Sequence, residues 1–295
     1  MGNVLIAAKN LADSGTLSGG SWVSSLPLSN LGDRQLTNLA RSTNTLLAST
    51  QFDVDLGSQK TISLIAVLRH NLSQTGLWRL RIADVSGFAT TVFDSGWQDI
   101  WPEVTPFGQE LWGEFIWGGK LDADEAKTYG ISAYLVLTTA VFARYARIEL
   151  DDQGNSDGYL QAGRLIVSPA WQPTRNLTYG WEVHHVDESR KVRSRGGQLY
   201  VDVAPKRRRL GFVIEHLDED EMFGRAYELD RDKGVAGDVL ASSIFVALIF
   251  LPLPHESPLA GRTAPPKGRR PYYVVIGVCE HTKEIVCFQY AASGA

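Results

Sequence analysis

Four tryptophans, Trp97, Trp101, Trp112 and Trp117, fall in one stretch of this 295-residue chain, and the chemistry they offer is recognition. An indole face stacks on a sugar ring or anchors a protein interface, where one desolvated aromatic contributes about 2 kcal/mol or more. The stretch reads as a long connection interrupted by Pro102 and Pro106, and long irregular connections inside compact domains usually carry function. Core packing of at least two of the four competes with these roles; subunit contact ranks next and glycan contact third.

Acidic residues offer two further chemistries. Asp151, Asp152, Asn155 and Asp157 cluster hard oxygen donors of the kind calcium takes. An EF-hand register starting at Gln153 would need a bidentate glutamate where Arg164 stands, so that motif fails. An Asp/Asn/Gly turn between two strands explains the same residues, which leaves only a weak, non-EF-hand cation site on these four. Asp53 and Asp55 share one face of an alternating strand, as the acid and base of a glycosidase could. The same alternation makes them simply the polar face opposite Phe52, Val54 and Leu56. His184 and His185 are neighbours on an expected strand, point to opposite faces and cannot chelate one ion. The nucleophile elbow, the phosphate-binding loop, the dinucleotide Gly-x-Gly-x-x-Gly and the His-Glu-x-x-His zinc motif are all missing from the sequence. No catalytic residue and no cofactor is expected.

The elements that must position these residues are strands. Gly (28) and Pro (12) punctuate short alternating segments, and aromatic residues make up 10% of the chain, a pattern of β-sandwiches and barrels rather than helical bundles. Apolar content of 44% supports a sizeable core, and the length suggests two domains. Prolines 169 and 173 mark a boundary, giving domains 1–172 and 173–295. Seven of the eight tryptophans precede residue 172, so the aromatic surface belongs to the first domain. In the second, strands are expected at 179–185, 198–203 and 209–216, followed by a helix. Asp218-Glu-Asp-Glu221 has a capping-box arrangement, and Met222, Phe223, Ala226, Tyr227 and Leu229 form its apolar face.

Charge excludes one class of partner. Residues 1–174 hold 12 Lys+Arg against 17 Asp+Glu, net −5, and residues 175–295 hold 17 against 16, net +1. Neither half has the excess of a nucleic-acid binder, so Arg207, Arg208, Arg209, Arg269 and Arg270 read as strand ends or interface charges. The longest apolar run, Ile244–Leu251, is too short to span a bilayer and reads as a buried strand, so membrane insertion is not expected. The N-terminus lacks the basic and apolar regions of a secretory leader. Cys279 and Cys287 sit on the two arms of an expected hairpin and read as free thiols.

Two signatures carry a resemblance. Phe52-Asp-Val-Asp-Leu-Gly57 and Ala143-Arg-Tyr-Ala-Arg-Ile-Glu-Leu150, followed by Gly163-Arg-Leu-Ile-Val-Ser168, resemble the discoidin-like (F5/8 type C, galactose-binding-like) jelly roll. That resemblance implies a binding or docking module. The second half, with its basic strand Arg207–Ile214, acidic helix start and amphipathic helix, resembles the tail-tip and minor tail proteins of long-tailed bacteriophages. Together they imply a mainly β protein, a jelly-roll sandwich followed by an α+β tail-tube-like domain. The implied role is a structural subunit of a siphophage tail tip or baseplate, made in the host cytoplasm and located in the virion. Its implied partners are other tail proteins and further copies of itself, as a trimer or hexamer. The alternative is a lectin-like protein that grips host-surface glycans through the first domain.

Overall fold

Alternating residues such as Phe52-Asp-Val-Asp-Leu56 force a strand with one wet and one dry face, and the chain is built almost wholly of such strands. A computed structural model describes residues 3–101, 132–179, 182–187, 189–203, 207–214, 217–233, 240–242, 273–278 and 285–286. The chain divides into two units, Lys9–Ala170 on one side and Met1–Ala8 with Trp171–Ala295 on the other. The boundary expected from sequence is 172/173; the two units divide between Ala170 and Trp171, and again between Ala8 and Lys9. The opening strand, β1 (Leu5–Ala7), expected to enter the first domain, is part of the other unit.

The Lys9–Ala170 unit contains β2 (Thr16–Ser18), β3 (Ala40–Arg41), β4 (Phe52–Leu68), β5 (Leu77–Ala83), β6 (Phe93–Asp94), β7 (Gln98–Asp99), β8 (Ser132–Asp151), β9 (Gln161–Ala162) and β10 (Arg164–Ser168). All pairings are antiparallel, in the order β10-β4-β8-β5-β6, with β2 added to β4 and β7 to β5. The expected strand at Phe52–Gly57 does not stop there but continues to Leu68. β4 has register irregularities against β8 between Asp55 and Lys60 and between Ile62 and Leu64. Such irregularities bend strands. The bend lets β4 and β8 serve β2 and β5 at one end and β10 at the other, wrapping the sheet around one core. Phe52, Val54, Ile62, Ile65, Val67, Leu80, Ile82, Ile148, Leu150 and Leu165 lie in that core, all nearly or wholly buried.

Among the described residues the most deeply buried charge is an arginine. Arg164, where an EF-hand would need glutamate, has no exposed side-chain surface, and its Nη2 donates to both carboxylate oxygens of Asp13 at 3.0 and 3.1 Å. Nη1 donates to the Gly32 carbonyl at 3.1 Å. Asn10 steadies the acid, donating to Asp13 Oδ1 at 2.6 Å and to the Leu165 carbonyl while accepting from Ala12 and Val167 N–H.

In the other unit the strands are β11 (Glu182–Val186), β12 (Arg190–Arg193), β13 (Leu199–Asp202), β14 (Arg207–Val213), β15 (Leu240–Ser242), β16 (Tyr273–Val278) and β17 (Ile285–Val286). β11-β14-β16-β17 form one antiparallel sheet, β12 and β13 a separate hairpin, and β1 pairs with β15. Ile6 and Trp171 exchange backbone hydrogen bonds at 2.8 Å in both directions, so the two crossings between the units lie side by side. Val4, Ile6, Phe212 and Ile214 form a small core, against which Trp171, Leu177, Leu217 and Leu229 pack. The expected helix is present as Glu219–Glu221, a π-helical turn Met222–Ala226 and Tyr227–Lys233. Its capping box is not made: Asp218 gives no side-chain cap. Glu221 instead accepts from the Thr174 N–H and hydroxyl, and the hydroxyl bond first, then the backbone one, holds its carboxyl below the usual range. A carboxylate offered a separate chain segment as donor has left its own helix terminus uncapped.

Candidate functional site

The polar end of the sandwich is assembled by four short segments distant in sequence. β3 and β9 pair there, Ala40 with Ala162 and Arg41 with Gln161. The chain leaves β4 at Arg69, which holds a left-handed backbone (φ 55°) rare for a residue with a side chain. Gly163 is pressed against this turn: a Cβ on it would lie 2.9 Å from the Leu36 carbonyl and 3.2 Å from the Arg69 Cβ. Arg69 donates to that same carbonyl at 2.6 Å.

Asn71 is the hub. Its Oδ1 accepts from Gln161 N–H at 2.8 Å; its Nδ2 donates to Asp157 Oδ2 at 2.9 Å and to the Tyr159 carbonyl at 3.1 Å. Its own carbonyl accepts from Asn155 Nδ2 at 2.9 Å. Behind it Asp152, buried, takes Ser73 N–H at 2.7 Å, the Ser73 hydroxyl at 2.8 Å and Asn155 Nδ2 at 2.8 Å. Asn155 Oδ1 accepts from Asp157 N–H. The residues considered for a cation therefore face N–H and O–H donors: Asp152 and Asn155 stitch the 152–158 turn to the segment after β4. Asp151 sits at the end of β8, where its Oδ1 accepts from Gln153 Nε2 at 3.3 Å. The four do not converge, and among the described residues no group of three or more His, Cys, Asp and Glu forms a metal cluster.

On this frame stand two side chains that meet solvent. The Arg41 guanidinium lies 4.0 Å above the Tyr159 ring centroid, and its Nη2 donates to Gln161 Oε1 at 3.1 Å. Both residues are half-buried, and among the described residues Arg41 has no carboxylate partner, its buried Nε lacking any acceptor. A planar donor fork and an aromatic ring, braced by an amide, suit the vicinal hydroxyls and the C–H face of a sugar.

Immediately behind the hub His70 is buried. Its Nδ1 accepts from Leu72 N–H at 3.3 Å, which puts the proton of the neutral ring on Nε2, and Nε2 has no partner. Burial pushes its pKa down to about 3. An unfolded histidine titrates near 6.5. Since the folded value is the lower, stability is full above about pH 6.5 and falls as the pH drops toward 3, by up to about 1.4 kcal/mol per unit. His70→Asn, whose Oδ1 can replace the Nδ1 acceptor, is expected to flatten the acid limb between about pH 6.5 and 4 in urea melts; an unchanged slope would assign that limb to other groups.

The tryptophans separate. Trp101 is a core residue: it is buried, donates from Nε1 to the Leu72 carbonyl at 3.0 Å and meets His70 edge-on at 6.2 Å. It is thus corrected from a contact residue to a support for the His70–Ser73 segment. Trp97 is 40% exposed beside β7 and remains available for contact. Trp112 and Trp117 lie outside the described residues. Arg207, Arg208 and Arg209 are the first three residues of β14; Arg207 pairs with β11 alone, and Arg208 and Arg209 pair with both β11 and β16. Arg269, Arg270, Cys279 and Cys287 lie outside the described residues. Asp53 and Asp55 are each gripped in a fork, by Arg147 at 2.5 and 2.7 Å and by Arg144 at 2.7 and 2.8 Å. The Arg144 bond holds the Asp55 carboxyl below its ordinary range. These carboxylates are partners in a charge ladder across the sheet that continues through Arg81–Glu149 and Arg79–Asp94. Of the four residues that make the site, Arg41, Tyr159 and Gln161 stand in no motif, and Asn71 stands only in an Asn-x-Ser sequon, Asn71-Leu-Ser73, which gives no hint of its place as a hub. The only local signal is Asn71 next to a buried histidine at the end of a strand.

No protein-family model matches the chain, and no curated protein matches its sequence. Solved structures do resemble it. CBM32-1 from a family 31 glycoside hydrolase of Clostridium perfringens is 13% identical, with 55% of this chain matched to 98% of that one at a TM-score of 0.37. The family 32 carbohydrate-binding module of C. perfringens NanJ, in complex with galactose, is 14% identical, 55% matched to 98%, TM-score 0.36. The lectin domain of lectinolysin, complexed with Lewis B antigen, is 14% identical, 54% matched to 95%, TM-score 0.36. SpGH29 is 20% identical over 54% of this chain, which spans only 28% of that protein, TM-score 0.34. At such identities and TM-scores no residue role and no ligand passes to this chain. The likeness is one of fold alone, a mainly β, antiparallel architecture.

Proposed function

We propose that the chain is a non-enzymatic carbohydrate-binding protein whose Lys9–Ala170 unit holds a glycan at the end formed by Arg41, Tyr159 and Gln161. The observation that supports this reading is the Arg41–Tyr159 stack, a cation without a carboxylate partner among the described residues, set on a braced polar frame. Stacking supplies orientation against the ring of a sugar, and the guanidinium supplies paired donors to adjacent hydroxyls. Trp97, exposed elsewhere on the unit, is a further candidate contact.

Titration of the full chain against a glycan panel that includes galactose, fucose and Lewis B antigen tests the reading. Arg41→Ala and Tyr159→Ala are each expected to weaken the glycan that binds by about tenfold or more, the loss of one hydrogen bond from a charged group or one stacked ring. Binding to nothing on the panel, or binding indifferent to both changes, would overturn it. A second reading, a structural subunit of a phage tail tip, rests on the sequence resemblance of the second half alone. It expects the chain in stoichiometric amounts in purified virions.

A further inference from the structure

The β12–β13 hairpin is exposed along its whole length. Val192, Leu199, Tyr200, Val201 and Val203 are 46–79% exposed, and two-stranded hairpins without support are marginal in water. Cross-strand register separates its two faces. Lys191 stands opposite Val201 and Arg193 opposite Leu199 on one face; Arg190 stands opposite Asp202 and Val192 opposite Tyr200 on the other. The first face is therefore two cations beside two aliphatic side chains. From 190 to 203 the hairpin carries Arg190, Lys191, Arg193 and Arg195 against Asp202 alone.

The same unit presents the complementary surface. On the helix that begins at Glu219, Phe223 and Tyr227 are 55% and 58% exposed and one turn apart, while Leu229 on the opposite side packs on the core. Glu219 and Asp220, exposed, stand one turn before Phe223, and exposed Glu228 follows Tyr227; Arg225 is exposed on the same helix and Arg231 is engaged with Asp232. From 218 to 233 the segment holds seven carboxylates against three cations. Among the described residues no ion pair joins hairpin to helix within one copy, and both apolar sets are left in water.

We propose that the hairpin face of Lys191, Arg193, Leu199 and Val201 docks on the Glu219–Tyr227 face of the helix of a second copy. The aliphatic side chains cover Phe223 and Tyr227, and the two cations meet Glu219, Asp220 and Glu228. The contact joins unlike surfaces, so each copy offers one of each, and successive copies close into a ring or extend. Opposite charges set partner and register, and the desolvated aromatics supply most of the affinity.

Light scattering on the full-length chain after size exclusion tests this, with two charge-reversed variants, Lys191→Glu/Arg193→Glu and Glu219→Lys/Asp220→Lys. The unmodified chain is expected to be larger than a monomer and each variant alone monomeric. An equimolar mixture of the two variants offers one unchanged junction and one with both charge sets reversed, and is expected to restore the larger species. The four changes combined in one chain are expected to restore the larger species. Circular dichroism checks that each variant is folded; should one fail, Leu199→Ser/Val201→Ser replaces it and is expected to be monomeric. A monomeric unmodified chain, an assembly whose size neither reversal changes, or variants that do not complement on mixing would each overturn the proposal.

Discussion

Replacing Asp13 by alanine is expected to cost about 3 kcal/mol of stability, a fall in melting temperature of roughly 6–12 °C for a chain of this size. The charge it balances, Arg164, has no side-chain surface in water and spends its Nη2 on the two Asp13 oxygens. Removing the acid takes the carboxylate from the Nη2 of a cation whose side chain has no surface in water, and breaking a buried pair costs more than the pair contributes when intact. Asn10, whose amide donates to Asp13, would lose that acceptor as well. Asp13→Asn keeps an oxygen for one of the two bonds and is expected to cost less than half as much. Calorimetry on the full chain reads both, and a loss below about 1 kcal/mol for Asp13→Ala would show that water or another group takes over the charge.

Phe52→Ala should be comparably damaging, at about 3–5 kcal/mol. Phe52 is 1% exposed, opposes Ile148 on β8 and meets the Trp22 ring edge-to-face at 5.8 Å and 77°. Truncation removes the transfer energy of the ring and opens a cavity that two long strands, hydrogen-bonded on both sides, cannot collapse to fill. The edge-to-face contact adds about 0.5–1.5 kcal/mol. Phe52→Leu refills most of the volume and is expected to recover more than half the loss. Urea melts measure the difference, and the fluorescence of Trp22 should change with Phe52→Ala whether or not the unit melts at room temperature. A loss under about 1 kcal/mol would mean that this part of the core repacks freely.

The strands were legible in the sequence wherever period-two alternation is strong: Phe52–Leu56, 143–150 and 164–168 appear where that pattern puts them. Their continuation as the long β4 and β8 was not, because the irregularities between Asp55 and Leu64 leave apolar and polar residues in an order that imitates a turn. The basic cluster 207–209 reads as a charged strand end and does open β14, but that Arg208 and Arg209 pair on both sides is a fact that composition does not carry. The site was the least legible part. Arg41, Asn71, Tyr159 and Gln161 come together only through β3–β9 pairing across 120 residues. Trp101, chosen for its type, was claimed by the core because a carbonyl there needed a donor.

The adjacency of Ile6 and Trp171 has an order in time. The residues of β1 are synthesised before the sandwich, but their partner β15 and the core residues Phe212 and Ile214 follow only after the whole of Lys9–Ala170. The sandwich can complete its own core while the first strand waits. Its two ends emerge at one place on its host, so the unit is a cassette: a short bridge from Ala8 to Trp171 could stand in for it, and a different module could be spliced between the same two residues without moving either.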